Sequence, residues 1–144
     1  MGKDREEIPR RRLSARGRLI LWAPVALLLA YEFWLSSRTG SEMPALGPWF
    51  PQKDKLEHAT YFFLTGLVAV RAARFGERWD GAKTAVFLVL CAVLWGCSDE
   101  IHQSFVPGRD VEIGDVVADT AGVALAVAFG ERLLRRVGLS RVVT

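Results

Sequence analysis

The stretch LILWAPVALLLAYEFWL, from Leu19 to Leu35, holds one charged side chain, Glu32, in seventeen residues. As a helix it rises about 26 Å, close to the ~30 Å hydrocarbon core of a bilayer. Before it stands a polar, basic segment with Pro9 and the run Arg10-Arg11-Arg12. A basic start followed by an apolar run also describes a signal peptide. Here the run is long for that role, and no small-residue cleavage site follows it. Tyr31 and Trp34 instead suit a membrane interface, so the stretch predicts an uncleaved transmembrane helix. Glu32, near its outer end, reads as a headgroup contact.

Three further apolar runs follow, at Leu56–Ala73, Thr84–Cys97 and Val116–Phe129. The last two are short, so their helices are expected to extend into the polar segments beside them. Residues 36–51 are rich in Gly, Pro and Ser and predict a loop or re-entrant turn, with Trp49 and Phe50 at the lipid interface. The expected fold is all-α, an integral membrane four-helix bundle. It divides into a basic arm at 1–18, a membrane domain at 19–134 and a tail at 135–144. No soluble domain or repeat is expected. Hydrophobic residues make up 51% of the 144, high for a soluble domain and ordinary for a membrane protein with short loops.

The basic residues predict the orientation. Of 19, seven lie in residues 1–18, four in 71–83 and four from 130 onward. Only Arg38, Lys53 and Lys55, in the loop 36–55, and Arg109, in the loop 98–115, fall on the other side. The positive-inside rule then puts both termini in the cytoplasm of a bacterial inner or plasma membrane. Basic residues alternating with apolar runs do not form a nucleic-acid-binding stripe, so no nucleic acid partner is expected. Membrane lipids are the expected surroundings. Cys91 and Cys97, six residues apart on one helix, point away from each other and lack zinc-ligand spacing. They read as packing residues.

The outer side is where the chemistry gathers. Asp54, Lys55, Glu57 and His58 open helix 2, while Asp99, Glu100, His102 and Gln103 close helix 3. Pro107, Gly108, Arg109 and Asp110 form the loop, and Asp115 and Asp119 open helix 4. Asp54 and His58, Asp99 and Gln103, and Asp115 and Asp119 are each spaced i, i+4, so each pair shares a helix face. Charged groups at membrane depth are costly and usually mark a functional site. The predicted site is a cup at the outer end of the bundle. Asp54, His58, Asp99, Glu100 and Asp115 are the candidate catalytic groups. Lys55, Gln103 and Arg109 are the candidate ligand-binding groups. Plainer readings stand beside these. Asp54 and Asp115 can be helix caps, Lys55 and Arg109 can snorkel or form surface ion pairs, and His58 can be a structural link between helices. Glu57 and His102 read as outward-facing neighbours.

These residues in this order, Asp54-Lys55-x-x-His58, Asp99-Glu100-x-x-Gln103, Pro107-Gly108-Arg109, Asp115 and Gly122, resemble the VanZ-like family. Ser36-Ser37 resembles that family's serine-containing segment, and the resemblance runs from about Leu19 to Phe129. It implies a membrane protein related to an accessory factor in glycopeptide resistance, chiefly towards teicoplanin. Some members carry a phosphotransbutyrylase label, which this sequence does not support, because it has no phosphate-cradling loop. Asp119 departs from the family pattern, which usually has Asn. An amide that donates a hydrogen bond there would be lost in an ionised Asp.

The expected function is to bind or modify a cell-envelope component that is anionic, lipid-linked or a glycopeptide. As an enzyme, the chain would use Arg109 and Lys55 to hold an anionic headgroup and His58 or a carboxylate as general base. Oxygen ligands from Asp99, Glu100 and Asp115 would suit Mg²⁺ or Ca²⁺. A shielding protein without catalysis, and a structural ion-pair network bracing four short helices, are the alternatives. No cofactor is specified.

Overall fold

The computed structural model describes residues 13–39 and 52–140. Residues 1–12 of the arm, residues 40–51 of the expected loop with Trp49 and Phe50, and residues 141–144 lie outside the described residues; the last part of the arm, from Ala15, is already helix α1. Among those described there are four α-helices and no strand: α1 Ala15–Ser36, α2 Lys53–Val70, α3 Gly81–Gln103 and α4 Ile113–Arg136. The third and fourth do extend into their polar flanks. Local chemistry sets the starts of α1 and α3. Ser14 Oγ accepts from Gly17 N at 3.1 Å, and Asp80 Oδ1 accepts from Lys83 N at 2.7 Å. Each satisfies an amide that the first helical turn leaves without a partner. That hydrogen bond, first among the causes, holds the Asp80 carboxyl below the usual carboxylate range.

Three helices, α1, α3 and α4, are long and apolar enough to cross a membrane. α2 is different. Lys53, Asp54, Lys55, Glu57 and His58 occupy its first two turns, so its apolar part is short. It is lengthened by a π-helical turn, Arg71–Gly76, in which Glu77 N donates to Ala72 O at 2.8 Å. The wider turn carries Ala72, Ala73 and Gly76 inward, and Gly76 receives Leu21 of α1: a Cβ there would stand 2.5 Å from Leu21 Cδ1.

Contacts at the ends fix the topology. At one end Arg18 pairs with Glu77 at 3.2 Å, and Arg74 pairs with Glu131 at 2.7 Å and donates to Trp79 O. At the other end the close of α1 meets the close of α3 (Ser37 Oγ to His102 Nε2, 2.9 Å). There the start of α2 meets the start of α4 (Lys55 Nζ to Asp115 Oδ1, 2.6 Å). The helices therefore run up, down, up, down.

The closest packing is between α2 and α4, through small residues. Ala118, Gly122, Ala126 and Gly130 repeat every fourth position of α4, and all are buried. Gly122 lies directly on α2. A Cβ there would overlap Ala59 O and stand 2.8 Å from Phe63 N. Gly66 of α2 returns the fit, with 2.7 Å between its would-be Cβ and Ala126 Cβ. In lipid no hydrophobic force draws apolar helices together, and close backbone approach through small residues takes its place. Phe62, Val70, Leu88, Val123 and Leu134 fill the core around this seam. Leu19, Ile20, Leu27, Leu64, Val86, Leu90, Leu94, Val117, Leu125 and Phe129 face outward. Water would not tolerate so continuous an apolar surface, but lipid chains match it. Cys91 and Cys97 are free and exposed on this surface, not packed in the core. The turn at Pro107-Gly108 is also as expected, with Gly108 at φ 74°, a conformation that favours glycine.

Candidate functional site

The register set by the Gly122 seam carries polar pairs above it. Two turns toward the shared end, Lys55 of α2 sits among three carboxylates. Its Nζ is 2.8 Å from Asp54 Oδ2, 2.5 Å from Glu112 Oε2 and 2.6 Å from Asp115 Oδ1. The last is an ion pair without aligned hydrogen-bond geometry, since Asp115 Oδ1 accepts none. One turn deeper, His58 Nδ1 lies 2.9 Å from Asp119 Oδ1.

α3 closes the cluster from the side. Gly96 lets it approach α4, where a Cβ would stand 3.2 Å from Val116 Cα and 3.5 Å from Asp119 Oδ2. Beyond Gly96, Asp99 Oδ2 accepts from Gln103 Nε2 at 2.6 Å, while Asp99 Oδ1 is buried with no hydrogen-bond partner. Glu100 Oε2 accepts from Glu112 N at 2.6 Å, which ties the end of α3 to the residue before α4. Glu32 of α1 turns inward and accepts from Trp95 Nε1 at 2.7 Å. It is 8% exposed, not a headgroup contact: its carboxylate finds a buried indole N–H and faces the charges of Asp99 and Asp119.

The structure thus brings together Lys55, His58, Asp99, Glu100, Gln103 and Asp115. Glu100 lies within Coulombic reach of Asp115, Asp99 and His58. Two members, Glu32 and Asp119, were outside the predicted site residues. The signal for Asp119 was its i, i+4 spacing from Asp115. For Glu32 the signal was only a charge in an otherwise apolar helix. Asp54 is on the rim, its side chain 56% exposed and turned to Lys55. Glu57 is also peripheral, paired with Lys53 at 3.1 Å. His102 packs against Phe33, ring centroids 4.4 Å apart and the rings tilted by 30°, outside the carboxylate group. Ser36 is 2% exposed, with its hydroxyl unpartnered.

The chemistry of the cluster is acidic. Glu32, Asp99, Glu100, Asp115 and Asp119 are each at most 8% exposed, and the bases among them are Lys55 and His58. Lys55 is already committed to three carboxylates, and the Gln103 amide nitrogen to Asp99. Arg109 stands in the loop, half-buried, with its Nε buried and unpartnered and with no ion pair among the described residues. Among those residues no group of three or more His, Cys, Asp or Glu has metal-holding geometry, so Asp99, Glu100 and Asp115 do not converge on one point as a cation site would require.

The family model described as VanZ/LLP1 matches residues 17–134. An uncharacterized protein of Schizosaccharomyces pombe is 30% identical over 95 residues, covering 63% of this chain and 57% of that protein. The chain therefore spans little more than half the length of that relative. No solved structure matches the chain.

Proposed function

The chain belongs to the VanZ/LLP1 family, and from that premise we propose that its outer polar cluster binds or modifies a cell-envelope component. In this reading the chain is a multi-pass protein of a bacterial cytoplasmic membrane with both ends in the cytoplasm. The orientation rests on the basic residues, fifteen of which fall on the side that holds Arg18, Arg74 and Arg135 and four on the side that holds Lys55.

One observation carries the reading: the buried carboxylates outnumber the bases beside them. A purely structural network pairs its charges, because an unpaired buried carboxylate is expensive. Here Asp99 keeps an unpartnered oxygen next to a His–Asp pair. With its Nδ1 proton donated to Asp119, His58 leaves Nε2 as the basic nitrogen, and a carboxylate behind a histidine orients the ring. That arrangement suits removal of a proton from a hydroxyl or amine of a bound amphiphile. Arg109 is the group available for an anionic part of the ligand.

The test is teicoplanin susceptibility of a bacterium expressing the full chain. Wild type is expected to raise the inhibitory concentration, and His58→Gln to abolish the rise while the protein still inserts. Equal protection by wild type and H58Q sinks the catalytic role. No protection by wild type sinks the glycopeptide reading.

A second reading is a non-catalytic scaffold braced by an ion-pair network. Lys55, held by three carboxylates, favours it. Breaking a buried pair costs about 3–5 kcal/mol, so under this reading Lys55→Met and H58Q would both unfold at markedly lower temperature than wild type.

A further inference from the structure

A groove of about 360 Å³ runs along the middle of the bundle, lined by residues of all four helices. Leu29, Thr65, Leu88, Cys91, Trp95 and Ser98 are among them. Its volume is within the range of about 300–1,000 Å³ typical of small-molecule sites. Three features say what it holds. First, Cys91 and Leu94 in its wall also belong to the exposed apolar surface, so the groove opens sideways toward lipid rather than toward water. Second, its wall is mostly apolar, with Val25, Leu29, Phe62, Leu88, Leu94 and Val123 among its residues, which suits methylene groups. Third, the groove borders the acidic cluster through one residue: Trp95 lines it and donates to Glu32. Ser98, also in its wall, precedes in α3 Asp99, whose Oδ1 is unpartnered.

We propose that this groove holds one acyl chain of a bilayer phospholipid whose headgroup carries an ammonium, with the ammonium set against Asp99 and Glu32. The inference rests on the cluster being the functional site and names the ligand class it takes. Charge complementarity selects the headgroup. Beside Asp99 and Glu32 a headgroup without an ammonium would meet only carboxylates, and the nearby Lys55 is already occupied; Arg109 is left for the phosphate that both kinds of lipid carry. An ammonium would supply the donor that Asp99 Oδ1 lacks. Charge-assisted hydrogen bonds of this kind are about twice as strong as neutral ones.

The experiment uses the full chain purified in mild detergent and titrated with phosphatidylethanolamine or phosphatidylglycerol of identical acyl chains, with bound lipid counted by native mass spectrometry. Wild type is expected to retain phosphatidylethanolamine about tenfold more tightly. Asp99→Asn should reduce that preference toward parity while still binding both lipids through the chain. Cys91→Trp, a change at an exposed wall of the groove, should lose both lipids. Equal retention of the two lipids by wild type, or unchanged retention by C91W, overturns the proposal. Should D99N fail to fold, Glu32→Gln replaces it, with the same loss of preference expected. Failure here is separable from failure of the functional reading. Lipid retention without any phenotype of H58Q leaves the groove and removes the catalytic role, whereas an H58Q phenotype without lipid retention does the reverse.

Discussion

Gly122→Ala adds one carbon and two hydrogens, yet it is expected to be among the most damaging small changes in the chain. The new Cβ would overlap Ala59 O, stand 2.8 Å from Phe63 N and lie 3.1 Å from Ala59 C. All three are backbone atoms of α2, so no side chain can swing aside. Relief requires α2 and α4 to part, and their parting loosens the seam and stretches both the 2.9 Å His58–Asp119 contact and the 2.6 Å Lys55–Asp115 contact. Overpacking typically costs about 1–3 kcal/mol, and with only backbone to yield, the upper half of that range applies. At roughly 2–4 °C per kcal/mol for a chain of this size, the melting temperature should fall by about 5–10 °C. Gly81 provides the control. A Cβ there meets nothing within 4 Å, and Gly81→Ala at the first helical position should be neutral or stabilising by up to ~1 kcal/mol. Thermal unfolding in detergent, followed by far-UV circular dichroism, compares the two. A G122A protein as stable as G81A would refute the claim that α2 and α4 touch through backbone, and with it the register that assembles the site.

Three other outcomes are expected. Trp95→Phe removes the donor to Glu32 Oε2 and leaves a buried carboxylate short of a partner, a loss of about 1–3 kcal/mol; the same unfolding assay applied to W95F in wild-type and Glu32→Gln backgrounds should show the loss shrink in the second, and equal losses would separate the two residues. Asp80→Ala should destabilise the chain at neutral pH but not in acid. The folded carboxyl titrates below its ordinary value, so its contribution is present above about pH 3.9 and fades as pH falls through the depressed folded value; a D80A deficit that persists undiminished in strong acid would contradict the cap. A reporter enzyme fused after Thr144, or inserted near Gly76, should be active only in the cytoplasm, given the distribution of basic residues, and activity outside would reverse the orientation of the cluster.

Much of this was legible in the residues alone. The length of the apolar runs is a one-dimensional quantity set against bilayer thickness, so Leu19–Leu35 and its three successors predict four helices, of which α1, α3 and α4 are long and apolar enough to span. The cost of charge in lipid confines Lys55, His58, Asp99, Glu100, Gln103 and Asp115 to one end, and helical spacing puts them on shared faces. Rotation of α1 was not legible. In water an apolar stripe marks the inner face of a helix, but in lipid both faces are apolar, and Leu21, Glu32 and Ser36 are the only buried residues of α1. Glu32 therefore read as a headgroup contact until Trp95 of another helix supplied its donor. Partner choice was equally hidden. Lys55 read as a group free for an anion, and only the apposition of α2 and α4 shows three carboxylates already around it. The small residues that set this apposition were visible, but which helix they touched was not, because van der Waals fit between two surfaces is a property of the pair and not of either sequence segment. For the same reason the sequence told of a polar cup, while the apolar groove beneath it exists only where four helices fail to close.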